Sequence, residues 1–196
     1  MKKIFFIVFL FLNQSQNIFS QEFKLQEAIN GLNSPWSLSF ISNDRVIATE
    51  KSGNLMLIDF NINEIKKIKH NLNILEDGQG GLLEVLYFKD QVFVSYSEDL
   101  KRGYSTTSVA KANFNENELN FQNIFRAEPP INSGYHFGSR LVIKDNLLYI
   151  TAGERGKGMI AQDPLKHPGS IIRVHLDGEI PKDNPKFKDK KDWLPE

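Results

Sequence analysis

The chain has 196 residues, 40% of them hydrophobic, no cysteine, and 24 basic side chains offset by 24 acidic ones for a formal net charge of zero. That is enough chain to bury a sizeable core, and it carries no electrostatic bias toward nucleic acid or an anionic membrane, so a polyanionic partner is not expected. Without disulfides, stability rests on packing.

The first stretch, "MKKIFFIVFLFLNQSQNIFSQEF", has a dilysine start, an apolar run from Ile4 to Leu12 and the small residue Ser20 near a cut. This is the pattern of a secretory signal peptide, assigned to residues 1–20, with one domain over 21–196 and an exported, periplasmic or secreted location. The apolar run is far shorter than the roughly 20 residues of a spanning helix, so no membrane span is expected after its removal. No cysteine follows it, which excludes a lipoprotein anchor.

Beyond the leader, short alternating runs bounded by Gly, Asn, Asp and Ser predict an all-β protein. "SLSFISNDRVIATEKSGNLMLIDF" reads as strand, "SND" turn, strand, "KSGN" turn, strand. "LLEVLYFKDQVFVSYSED" repeats the first two strands with a "KD" turn, "SRLVIKDNLLYITAGERG" repeats them with "KDN", and "GSIIRVHLDG" adds another. Val46, Val92 and Leu148 fall at equivalent points in the second strand of each unit, 46 and then 56 residues apart. That period is the one a β-propeller blade requires, since a blade buries its two faces only when neighbours stack on it. A sandwich with irregular hairpins is the alternative. About 175 residues after the leader hold three to three and a half blades, fewer than the four to eight that close a ring. "NFNENELNFQN" and "PKDNPKFKDKKDW" read as solvated connections.

Three polar loops stand out: "EDGQGGLLEV" at 76–85, "YHFGSR" at 135–140 and "AGERG" at 152–156. Loops at corresponding blade positions converge at one end of a propeller's channel, which would bring Gln79, His136 and Glu154 to one pocket. A neutral imidazole, with an unperturbed pKa near 6.5, is a competent general base when a carboxylate orients one ring nitrogen. Gln79, flanked by glycines, offers a donor and an acceptor on a backbone able to approach a planar ligand. "AEPPINSG" delivers His136 on a shaped loop through Pro129, Pro130 and Gly134. His70, His167 and His175 lack the carboxylate grouping of a zinc site. No Gly-x-Ser-x-Gly elbow, Walker loop or dinucleotide fingerprint appears.

In order, "PWSLSF", "TEKSGNLMLID", "GQGGLLEV", "VFVSYSE", "HFGSRLV", "LYITAGERG" and "AQDPLKHPGSIIRVHLDGEIPKDNP" resemble the glucose/sorbosone dehydrogenase family, nearest its soluble aldose sugar dehydrogenase branch, from about Leu32 to Pro185. The resemblance implies a six-bladed, usually periplasmic propeller that oxidises the anomeric hydroxyl of an aldose to a lactone. It implies pyrroloquinoline quinone (PQQ) as cofactor, calcium in support and an external electron acceptor. Position by position, His136 matches the family's base, Gln79 the glutamine beside cofactor and sugar, and Glu154 the acidic partner of the histidine. Arg140 is expected to be a structural ion-pair partner in the channel, and Trp36 to serve blade packing.

Family members continue past the position of Glu196 into segments that grip the quinone carboxylates and hold calcium. The sequence therefore resembles the N-terminal part of such an enzyme, and by itself is expected to bind the cofactor poorly, since a desolvated tricarboxylate needs cationic partners. The rivals are a propeller that binds carbohydrate or protein without turnover, and a propeller lactonase drawing on Asn33, Asn54 and Asp77.

Overall fold

The computed structural model describes residues 23–185; the expected signal peptide and most of the charged "PKDNPKFKDKKDW" stretch lie outside them. Turn chemistry sets the hairpins. Lys89 and Asp90 have φ of 50° and 57°, and Asp145 and Asn146 have 52° and 59°. Two successive left-handed residues make the turn whose twist suits a two-residue hairpin loop.

The strands form three sheets, each a meander. The first holds β1 (Pro35–Phe40), β2 (Arg45–Glu50), β3 (Leu55–Asp59) and β4 (Glu64–His70). The second holds β5 (Leu82–Phe88), β6 (Gln91–Asp99), β7 (Ser105–Asn113) and β9 (Gln122–Arg126). The third holds β10 (Gly138–Lys144), β11 (Leu147–Ala152) and β12 (Ile171–His175). A two-residue strand, β8 (Glu118–Leu119), pairs in parallel with β4 and ties the second unit back onto the first. The first strands β1, β5 and β10 lie at the inner edges, with β5 packed against β1 on one side and β10 on the other. These are successive blades of a β-propeller.

Apolar side chains alternate along each strand and fill the spaces between sheets. Ile47, Leu55, Leu57 and Ile68 of the first sheet meet Leu82, Val85, Val94 and Ala110 of the second. Phe93, Val109 and Phe125 of the second meet Leu141, Leu148, Ile150 and Ile172 of the third. Val46, Val92 and Leu148, the residues that set the repeat, are all fully buried. The outer face of the first sheet is partly covered by Ile29 and Leu32 and keeps a groove of about 580 Å³. Trp36 lines that groove and is 40% exposed, so it is not sandwiched between two described blades.

The polar stretch at 113–123 departs from the expected solvated loop. It contributes β8 and the start of β9, and it buries Leu119 and Phe121 in the first core cluster. Each apolar residue sits among polar neighbours, and Asn71, 50 residues earlier in the chain, accepts the Phe121 N–H and donates to its carbonyl, which fastens the stretch to the first sheet's side of the core. Likewise Asp183 and Asn184 of the charged stretch are bonded to Arg173 rather than to solvent alone.

Each first strand carries a bulge at the same place, between Pro35 and Ser37, Leu82 and Val85, and Gly138 and Leu141. A bulge leaves backbone groups without ladder partners. A hydroxyl three residues after each repeat marker takes up this role: Thr49, Ser95 and Thr151 accept from the N–H of Ser37 (3.1 Å), Glu84 (3.1 Å) and Arg140 (2.9 Å). Thr49 then donates to the Leu83 carbonyl of the next blade at 2.5 Å, and Ser95 to that of Ser139 at 2.6 Å. In the first two blades one side chain therefore satisfies its own bulge and fastens the neighbour's, whereas Thr151 serves its own bulge only among the described residues.

Candidate active site

Three loops meet where the inner strands begin and end. Residues 76–81 lead into β5, 131–137 lead into β10, and 153–156 leave β11. They interlock at glycines. A Cβ on Gly78 would lie 2.4 Å from the Gly134 carbonyl oxygen, and one on Gly153 would lie 1.9 Å from that of His136, so only hydrogen fits at either. The Gln79 N–H donates to Gly134 O at 2.7 Å, and the Gln79 Oε1 accepts from the His136 N–H at 2.8 Å. His136 itself has φ of 49°, the left-handed region that side chains with a Cβ avoid.

The structure thus brings Gln79, His136 and Glu154 together. The His136 Nδ1 bonds the Glu154 carboxylate, which also accepts the Gly156 N–H at 3.1 Å. A carboxylate only accepts, so Nδ1 carries the proton and the neutral ring presents Nε2 as its lone-pair nitrogen. Among the described residues Nε2 has no hydrogen-bond partner, and the side chain is 51% exposed against 27% for Glu154. The histidine bond holds the Glu154 carboxyl below the ordinary glutamate value, against the smaller opposing effect of burial. A half-exposed imidazole with one nitrogen fixed and the other open can take a proton from a hydroxyl set beside it.

Other residues hold this arrangement, and the sequence had no local signal for them. Arg155, 2% exposed, sits behind the loop with its guanidinium 3.6 Å from the Phe137 ring centre. Burial lowers its pKa to about 10, with the Asp77 carboxylate opposing, so it stays charged at neutral pH. Thr107 donates to Phe137 O at 2.7 Å, while Ser97 accepts the Gly81 N–H at 2.7 Å and donates to Leu75 O at 2.5 Å. Nothing in the local sequence singles out Arg155, Thr107 or Ser97, because the partners that give them this role lie on other strands and loops.

Arg140, on β10, pairs with Glu84 of β5, whose other oxygen accepts from Ser37 of β1 at 3.1 Å. One residue from each blade's bulge therefore joins a network across the inner strands. Asn33 and Asn54 converge on Glu50 instead, through the Asn33 N–H at 2.6 Å and the Asn54 amide at 2.6 Å. Asp77 lies against Gly134. His70 bonds Gly53 O at 2.7 Å, His167 accepts the Glu128 N–H at 2.8 Å, and His175 is exposed on β12. Among the described residues no group of three or more His, Cys, Asp or Glu could hold a metal ion, and no helix is long and apolar enough to cross a membrane.

The family profile described as glucose/sorbosone dehydrogenase matches residues 32–196. The chain is 32% identical to an aldose sugar dehydrogenase of Escherichia coli K12 over 168 residues, covering 81% of this chain and 45% of that protein. It is 26% identical to quinoprotein glucose dehydrogenase B of Acinetobacter calcoaceticus over 211 residues, covering 86% and 42%. The crystal structure of the soluble aldose sugar dehydrogenase from Escherichia coli, in its apo form, superposes with a TM-score of 0.81 at 28% identity, covering 87% of this chain and 52% of that one. The chain spans about half the length of the relatives it matches.

Proposed function

The chain belongs to the glucose/sorbosone dehydrogenase family of sugar oxidoreductases, and from that premise we propose that it carries the proton-accepting side of an aldose dehydrogenase. The reaction is oxidation of the anomeric hydroxyl to a lactone, with His136 as general base. The observation that carries this reading is the His136 Nδ1 bond to Glu154, with Nε2 left open among the described residues.

Each residue has a separate task. His136 accepts the hydroxyl proton at Nε2. Glu154 keeps the other ring proton on Nδ1 and steadies the imidazolium that forms. Gln79 uses its Oε1 to hold the His136 backbone, which leaves its amide NH₂ to orient a ligand oxygen.

The cofactor proposed is PQQ, which when bound supplies the two-electron acceptor; calcium would support it and an external acceptor would reoxidise it. The described residues fit the base half of such a site and not its grip on three carboxylates. Arg155 is committed to backbone oxygens, Arg140 to Glu84, and Lys51 to Gly78 O at 2.6 Å. On this reading most of the quinone-binding cations and calcium ligands come from elsewhere in the protein. An exported location, periplasmic or secreted, follows from the leader-like start.

In full-length protein supplied with PQQ, calcium and an aldose, dye reduction is expected, and His136→Gln should lower kcat by about 10²–10⁴-fold. Wild-type turnover in that variant removes His136 from the role.

A further inference from the structure

The geometry assigns Arg155 as the positioning residue of His136: its buried guanidinium holds the peptide before the histidine, and with it the direction in which Nε2 points. This rests on the reading of His136 as the base.

Arg155 Nε donates to Tyr135 O at 2.9 Å, Nη1 to Ser105 O at 3.0 Å, and Nη2 to Ser105 Oγ at 2.9 Å and to Ser133 O. The Tyr135 carbonyl and the His136 N–H belong to one peptide unit. Its oxygen is held by Arg155 and its N–H by Gln79 Oε1, so the plane is gripped at both ends. With that plane fixed and the Arg155 N–H donating to His136 O at 3.3 Å, His136 is kept at its left-handed φ. The Phe137 ring beneath the guanidinium also packs at Gly80, where a Cβ would lie 2.9 Å from ring carbons. One cation thereby braces the loops of Gln79, His136 and Glu154.

The bonding is not that of a simple charge pair. Among the described residues the guanidinium's hydrogen-bond acceptors are neutral oxygens, three carbonyls and one hydroxyl, arranged to suit a planar fork. A lysine ammonium is a point charge on a flexible stem and cannot span Tyr135, Ser133 and Ser105 together.

The test is long-range ¹H–¹⁵N NMR of the imidazoles in the 196-residue chain, with the His136 signal identified by its loss in His136→Gln. Wild type is expected to show His136 as a single Nδ1-protonated tautomer. Arg155→Met should give mixed tautomers with a faster-exchanging Nδ1 proton, Arg155→Lys an intermediate spectrum, and Arg126→Met, a cation deletion elsewhere, no change at His136. If Arg155→Met does not fold, Arg155→Lys and Ser105→Ala decide, the latter deleting one acceptor only. A wild-type His136 spectrum in the folded Arg155 variants overturns the inference, even where their melting temperature falls. In active full-length protein, Arg155→Lys should lower kcat by up to about 10²-fold with KM unchanged. The spectrum needs neither sugar nor quinone, so absent turnover would count against the functional reading and leave this inference standing.

Discussion

Thr49→Val changes almost no volume and deletes one hydroxyl, so it isolates the bulge staple from the packing around it. Thr49 is fully buried; its Oγ1 accepts the Ser37 N–H at 3.1 Å and donates to Leu83 O at 2.5 Å. Both partners lie at bulges in their strands, one in each blade. A buried backbone group left unpaired costs about 1–3 kcal/mol, and two are orphaned, one of them only partly buried, which gives a loss of about 2–4 kcal/mol. Ser95→Ala should cost a similar amount, since Ser95 accepts from Glu84 N–H and donates to Ser139 O in a fully buried position. Thr151→Val should cost less than about 1 kcal/mol, because its bond to the Arg140 N–H is the only one it makes among the described residues and the site is half-buried. Equilibrium urea denaturation followed by far-ultraviolet circular dichroism reads all three. Equal losses at the three positions, or a Thr49→Val midpoint unchanged from wild type, would refute the staple.

Glu154→Gln replaces an acceptor-only carboxylate with an uncharged amide that can also donate to Nδ1, so the ring tautomer is no longer fixed and the imidazolium loses its counter-charge. The kcat for sugar oxidation in full-length protein should fall by up to about 10⁴-fold with little change in KM, and an unchanged kcat removes Glu154 from the site. Gly153→Ala forces the His136 carbonyl away from a Cβ that would lie 1.9 Å from it. A loss of about 1–3 kcal/mol and a displaced His136 signal are expected, and a wild-type melting curve would contradict that. Burial raises the Glu98 pKa, but the bonds from Arg126, Ser108 and Asn123 outweigh it and leave the carboxyl below its ordinary value. The native state therefore binds fewer protons than the unfolded chain, so Glu98's contribution is complete above about pH 4.3 and disappears as pH falls through the lower folded value. Glu98→Gln should flatten the acid limb of stability against pH, and an identical acid limb would show that Glu98 contributes none of it.

The hairpins were legible because their causes are local. Lys89-Asp90 and Asp145-Asn146 announce two-residue turns, and the alternation on either side declares which face is buried. The spacing of Val46, Val92 and Leu148 announced blades because each marks the same fully buried point of a repeating unit. The stretch at 113–123 was misread for the converse reason: Leu119 and Phe121 are isolated among Asn and Glu, and the burial that claims them comes from the first sheet, some 50 residues earlier.

For the site, the residue types and their order carried the family resemblance, and with it the pairing of His136 with Gln79 and Glu154. Local chemistry set His136 apart from the other three histidines by its shaped polar loop, but could not show which partner its ring would meet. Its distinction is that Nδ1 is held by a carboxylate 18 residues away while Nε2 is left open among the described residues, a relation that exists only once the loops have met. Chain order and side-chain pattern thus determined the strands, the turns and the blade repeat, since these follow from neighbouring residues and a period of two. Tertiary structure alone decided that Arg155 would be buried against backbone oxygens and that Thr49 and Ser95 would staple adjacent blades. Their partners lie 20 to 50 residues away, and hydrogen-bond satisfaction across that distance leaves no trace in local composition.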